Sequence, residues 1–392
     1  MTSFLAETIE PLVEVVRGFD RYDEDSSDRL NHKYSCLGFA VLAVMVTTNQ
    51  LVGETIKCWA PAEFPESWVE YTNSICWISN TYYIPMSETN ILEAPRKEIV
   101  YYQWTPLVLF AQAFMFYVPY VFWSTLNRSI GMDMHKIVKT CRKIEYLNPV
   151  ARDRNTKSLV IHIDRSLQYT RENKTSGCAK LKSRLAELGC FCGKRHGNFL
   201  IIIYLITKLI YIGNVVIQLY LMNYFLGTDY TFYGIEILQD IGHTGGYKES
   251  RRFPRVTLCD FEQRSLGRNI PHTVQCTLPI NLFNEKIFIF VWFWLAFLVI
   301  INILSLISWF WILFATNRRR FLKKHLKIVD KYKKQDDRDR LTAFCEKHLR
   351  QDGHFVLRMI GKNTNEVMVG EMIAGLWIHF GRNYNYYRKI HV

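Results

Sequence analysis

Four long apolar runs, 34–53, 104–126, 198–226 and 287–315, constrain this chain more than any other feature in it. Each reaches the ~20 residues that an α-helix needs to cross a hydrocarbon core of ~30 Å. Polar segments separate them, so the mean hydropathy of the whole chain is only -0.04. The first 33 residues are polar and acidic, with no short apolar region ending in a small-residue cleavage site. The first apolar run is therefore expected to act as the membrane signal. The predicted architecture is all-α, a four-transmembrane-helix bundle. Segments 1–33, 54–103, 127–197, 227–286 and 316–392 lie alternately on its two sides.

A formal charge of +13 raises the question of nucleic acid, but the distribution of cations argues against it. Of the 49 Lys and Arg residues, 16 lie in 127–197 and 18 in 316–392, against 3 in 54–103 and 7 in 227–286. Basic residues collect on the cytoplasmic side of membrane proteins, which places the middle segment, the tail and, with an even number of spans, the N-terminus there. The run NRRRFLKKHLKIVDKYKK directly after the last span fits the anionic lipids of the inner leaflet better than it fits nucleic acid.

The two segments left facing outward each carry a cysteine pair. Cys58 and Cys76 follow the first apolar run, and Cys259 and Cys276 precede the last. Outside the cell disulfides form and persist, so these four are expected to tie one cap out of two distant loops. Four cysteines allow three pairings, and spacing does not choose among them. Cys178, Cys190 and Cys192 on the cytoplasmic side have poor spacing for zinc and read as reduced thiols, open to reversible lipidation near the third span.

Polar residues within or beside the spans are the candidates for a water path. Lys208, Tyr211, Asn214 and Gln218 fall within about 120° of one another on the third span. A lysine inside a membrane faces the bundle interior or water, and this face suits either a path for ions or hydrogen bonding between spans. Thr47, Thr48, Asn49 and Gln50 either end the first span or line its outer end. Glu7, Glu10 and Glu14 would share one face of an N-terminal helix, as a solvated surface or as carboxylates at a pore mouth. Asn302, Ser305 and Ser308 form a polar stripe on the fourth span suited to interhelical contacts. No HExxH, GxSxG or GxxxxGK[ST] signature occurs, and neither a metal site nor a cofactor site is expected. Both Asn-x-Ser/Thr sequons, at Asn127 and Asn173, lie on the cytoplasmic side, leaving the outer loops free of them.

CWAPAEF from Cys58, TYYIP from Thr81, YYQWTP from Tyr101, FPRVTLCDF from Phe253 and QCTLPINLFNEKIFIFVWFW from Gln275 closely resemble the innexins, the gap-junction proteins of invertebrates. DRLN from Asp28 and FVLRMI from Phe355 extend the resemblance over nearly the whole chain. Thr105 departs from the Val more usual after YYQW. Connexins share the topology but carry three cysteines in each outer loop, and the related pannexins are glycosylated there. The resemblance implies a plasma-membrane, gap-junction protein with both termini cytoplasmic. Eight like or related innexin subunits would form a ring that docks with a ring on the apposed cell and passively conducts ions and small metabolites. It also implies a small disulfide-linked cap with some β structure and a helical cytoplasmic dome. Loop-to-loop bonds would join Cys58 with Cys276 and Cys76 with Cys259, and Glu7, Glu54 and Lys57 are the pore-lining candidates by position. Docking would use the second outer loop within 230–255. An undocked hemichannel and a non-conducting adhesion or scaffold protein are the alternatives.

Overall fold

The computed structural model describes residues 23–84, 97–128, 133–145, 148–169, 197–227, 229–244, 252–265, 267–332 and 337–390. Glu7, Glu10 and Glu14, Cys178, Cys190 and Cys192 of the middle segment, and the Asn173 sequon lie outside the described residues. Four helices are long and apolar enough to cross a membrane: α1 (Ser26–Val52), α3 (Tyr101–Arg128), α6 (Phe199–Leu226) and α8 (Pro279–Leu313).

Two of these helices run well beyond their apolar runs, for local reasons. Asp25 caps α1 through the N–H of Ser26, and the Asp28 carboxylate accepts in return from the Asp25 N–H, so the helix starts within the acidic segment. Its first turns pass through a π-helical stretch, Leu30–Ser35. Pro279 opens α8, where a proline costs no helical hydrogen bond and presets the backbone.

Between the spans lie β1 (Lys57–Trp59), α2 (Glu66–Ile78), β2 (Thr81–Tyr83), β3 (Lys97–Ile99), α4 (Met134–Glu145), α5 (Pro149–Tyr169), α7 (Tyr233–Thr244), β4 (Val256–Ser265) and β5 (Arg268–Thr277). After α8 come α9 (Ala315–Ile328), α10 (Asp337–Ala343) with a π-helical extension Phe344–Leu349, α11 (Arg350–Asn363) and α12 (Glu366–Ile390). The chain divides into two compact units. A helical unit takes in the N-terminal segment through Tyr34, 117–212 and 301–392, and a sheet-bearing unit takes in 35–116 and 213–300.

The core of the helical unit follows from helical periodicity. On α4, Met134, Ile137, Val138, Cys141 and Ile144 are all buried, while Lys136, Lys139 and Lys143 stay exposed on the other side. On α12, Met368, Val369, Met372, Ile373, Leu376, Trp377 and Phe380 fill the same core at the same three- and four-residue steps. Burial of each such large side chain is worth about 1.5–3 kcal/mol. Asp164 of α5 ties this unit further, meeting His348 at 2.9 Å and His379 at 2.8 Å.

The third span is capped from the tail. The carboxylate of Asp352 accepts from the N–H groups of Leu200 at 3.0 Å and Ile201 at 3.2 Å, covering donors that the start of α6 leaves unpaired. The Asp352 N–H donates to the carbonyl of Gly197, whose φ is +69° and whose missing Cβ would stand 2.8 Å from Arg350 Cδ. A side chain at residue 197 would break that joint.

In the sheet-bearing unit five antiparallel strands run in the order β1-β5-β4-β2-β3. The two central strands come from the second cysteine loop, and the flanking strands come from the first. Each loop alone holds too little sheet to be stable, and interleaving them solves this. Tyr101, Tyr102, Tyr230, Tyr233, Phe253 and Phe288 pack beneath as an aromatic core.

Candidate functional site

The cap is closed by two disulfides. Cys58 sits directly opposite Cys276 across the β1–β5 pair and is bonded to it. Cys76, on the last turns of α2, is bonded to Cys259 of β4. The backbone N–H of Cys58 donates to Asn73 Oδ1 at 2.8 Å, fixing β1 against α2. Across the same sheet the Tyr82 hydroxyl donates to Asp260 at 3.0 Å. The sulfurs of Cys58, Cys76 and Cys276 lie within 4.8 Å of one another. Their bonding into disulfides removes the thiolate character that a metal would need.

Helix α2 is a feature that sequence reading missed in a loop rich in Trp, Tyr and Pro. Its signal lies in Trp68, Thr72 and Cys76, each four residues apart on one face, with Pro65 just before the first turn. The Thr72 hydroxyl donates back to the Trp68 carbonyl, and Thr72 and Cys76 are buried.

At the opposite extreme of polarity, the start of α1 is wrapped in charge. Lys208 is 1% exposed. Its ammonium lies 2.7 Å from Asp28 and 4.0 Å from Asp25, and donates to the hydroxyls of Ser27 at 2.6 Å and Ser305 at 2.8 Å. The Tyr204 hydroxyl donates to Asp28 at 2.6 Å, and the Trp309 indole N–H donates to Asp25 at 2.9 Å. Asn31 and Asn302 exchange a pair of amide hydrogen bonds at 2.7 and 3.0 Å. The polar stripe of the fourth span is thereby engaged through Asn302 and Ser305. Neighbouring acids are also matched, Glu24 with His32 at 3.0 Å and Asp23 with His135 at 3.6 Å. Burial works against ionisation of Asp25, but Lys208 and Lys362 outweigh it and hold the carboxyl down at about 2.

The remaining candidates separate. Asn214 and Gln218 are buried and bonded to each other, the Gln218 amide donating to Asn214 Oδ1 at 3.3 Å. Lys208 instead belongs to the ion-pair cluster, so the single polar face expected on α6 resolves into two independent groups. Glu54 and Lys57 form an ion pair with each other, both largely exposed at 69% and 58%. Thr47 and Thr48 turn their hydroxyls onto the carbonyls of Ala43 and Val44, and Gln50 donates to the Tyr102 carbonyl at 2.8 Å. Most of that polar group is thus satisfied by backbone.

Within the expected docking stretch 230–255 the described residues divide between core and surface. Tyr230, Tyr233, Ile237 and Phe253 are core residues at 6% exposure or less, because the aromatic core of this unit needs them. Phe232 and Leu238 point outward, and residues 245–251 lie outside the described residues.

Against known proteins, the family model described as Innexin matches residues 24–380. "Innexin unc-9" of Caenorhabditis elegans is 35% identical over 365 residues, spanning 92% of this chain and 93% of that protein. "Innexin eat-5" of the same animal is 30% identical over 377 residues, with 92% and 88% covered. "Innexin-19" of Caenorhabditis briggsae is 32% identical over 382 residues, with 91% and 86% covered. Four spans, an interleaved two-loop cap closed by two disulfides, and a match over nearly the full length agree: the chain belongs to the innexin family.

Proposed function

We propose that this chain is a subunit of a gap-junction channel, a multi-pass protein of the plasma membrane that assembles with other innexin subunits and passes ions and small metabolites without chemistry. The observation that carries this is the family match over the whole four-span body together with the doubly tied cap. In this reading both termini are cytoplasmic, as the 34 cations of the middle segment and tail favour. Eight subunits close a ring, and the caps of two rings meet end to end between cells. Glu7, with the mutually paired Glu54 and Lys57, borders the conduction path. Anionic lipids of the inner leaflet contact α9, where Arg320, Lys323, Lys324 and Lys327 share a stripe of about 100° opposite buried Leu322, His325 and Leu326.

Electrical recording from paired cells expressing the chain tests the reading. Junctional current is the expected result. Current in single cells alone would make it a hemichannel, and silence with intact cell contacts would make it an adhesion protein.

A further inference from the structure

The last turn of α11, deep in the C-terminal sequence, closes on the start of α1. Lys362 Nζ lies 2.7 Å from Asp25 Oδ2 and 4.5 Å from the centroid of the Trp309 ring. The next residue, Asn363, donates to the Glu24 carbonyl at 3.1 Å and accepts from Arg29 Nη2 at 2.9 Å. Two successive tail residues therefore hold the carboxylate, the backbone and the guanidinium that frame the first span's entry.

The Asp25 carboxylate divides its work. Oδ1 accepts from Ser26 and keeps the helix cap, while Oδ2 takes Lys362, Trp309 and Ser305. The cap can persist without the tail, so the tail contact is an addition to the fold of α1 rather than a condition for it. Upstream, α11 is fixed in the helical core by Phe355, Val356, Met359 and Ile360, all at 1% exposure or less. A helix so anchored passes displacement of the tail straight to Asp25. Lys208 and Lys362 also differ in kind. The first is sealed at 1% exposure and neutralises Asp28, whereas the second is 31% exposed and meets Asp25 from the edge.

We infer that Lys362 is a positioning residue for conduction, the point at which the C-terminal helices set the arrangement of the first span. This rests on the channel reading above, and wild-type junctional current is the control for that reading itself. Asp25 retains Trp309, Ser305 and, at 4.0 Å, Lys208 when Lys362 is shortened, so the variant keeps a folded cluster in which only the tail's grip is lost.

The experiment compares junctional conductance in paired cells at matched amounts of junctional protein. Lys362→Met is expected to lower conductance by about five-fold or more, the low end of coupling between distant parts of a protein. Lys362→Arg, which keeps a cation in reach of Oδ2, should restore at least half. Asp25→Asn combined with Lys362→Met should be no worse than Lys362→Met, since the two groups act as one unit. Arg152→Met is the comparison, because Arg152 on α5 of the middle segment bridges Glu371 of the tail helix α12 at 2.8 Å at similar exposure. It should stay within about two-fold of wild type, as a partly exposed ion pair contributes little. The inference is overturned if Lys362→Met conducts like wild type, if Lys362→Arg fails equally, or if Arg152→Met falls as far. It is overturned too if the Lys362→Met chain never reaches the junction, which would make the lysine a folding residue.

Discussion

Replacing Lys208 with Met removes the cation 2.7 Å from Asp28, a carboxylate 2% exposed. Breaking a buried pair from one side costs about 3–5 kcal/mol, because the remaining charge is left in a medium that cannot solvate it. The geometry selects the lower end. Asp28 keeps the Tyr204 hydroxyl at 2.6 Å and the Asp25 N–H at 3.3 Å, while Ser27 and Ser305 already share a hydrogen bond at 2.9 Å and are not orphaned. A loss of about 3 kcal/mol at roughly 2 °C per kcal/mol lowers the melting midpoint by about 6 °C. The assay is thermal unfolding of purified protein in detergent, followed by intrinsic tryptophan fluorescence. Asp28→Asn in the same chain removes the stranded charge and should recover at least half of the loss, since a matched neutral pair avoids the burial cost. A Lys208→Met protein melting within about 1 °C of wild type would refute the argument, because the pair would then contribute nothing despite its burial.

With Cys58–Cys276 intact, the Cys76–Cys259 bond closes a ring made of residues 58–76 and 259–276, so its loss costs about 4 kcal/mol by chain entropy. Cys259→Ser should therefore abolish junctional current, and undiminished current would sink the role given to the cap. Burial raises the Asp352 carboxyl from 3.8 to about 6 against the backbone donors of the third span. Its contribution to stability is thus complete below about pH 4 and is lost as pH rises through 6, a swing on the order of 3 kcal/mol. Asp352→Asn should melt higher than wild type at pH 7.5, with the gap narrowing toward pH 5, and a gap that does not change with pH would contradict this.

The spans were legible because lipid demands continuity. A helix that crosses the bilayer must be predominantly apolar over some ~20 residues, so composition alone marks it. The cap was legible in outline because the cysteines are chemically singular and the motifs around them are distinctive. Its sheet was not. Strands β1, β2 and β3 are three residues each, too short for alternation to show, and β1 and β2 join the sheet through partners about 180 or more residues away, as in Cys58 opposite Cys276 and Tyr82 opposite Leu258, while β3 joins through β2.

The acidic segment at the start of α1 shows the deeper limit. Asp23, Glu24, Asp25 and Asp28 put four carboxylates in six residues, a pattern in which like charges usually repel one another into water. All four are 9% exposed or less. Each is matched by a cation or histidine: His135 after the second span, Lys208 on the third, Lys362 on the tail, and His32, eight residues on from Glu24. Lys208 looked like a candidate for a water path for the mirror-image reason, since its counter-ion lies 180 positions earlier in the chain. Neither half of such a pair carries a local signature. Burying a charge becomes affordable only once the fold has delivered its partner, so the segment that looked most soluble is the one most deeply committed to the tertiary structure.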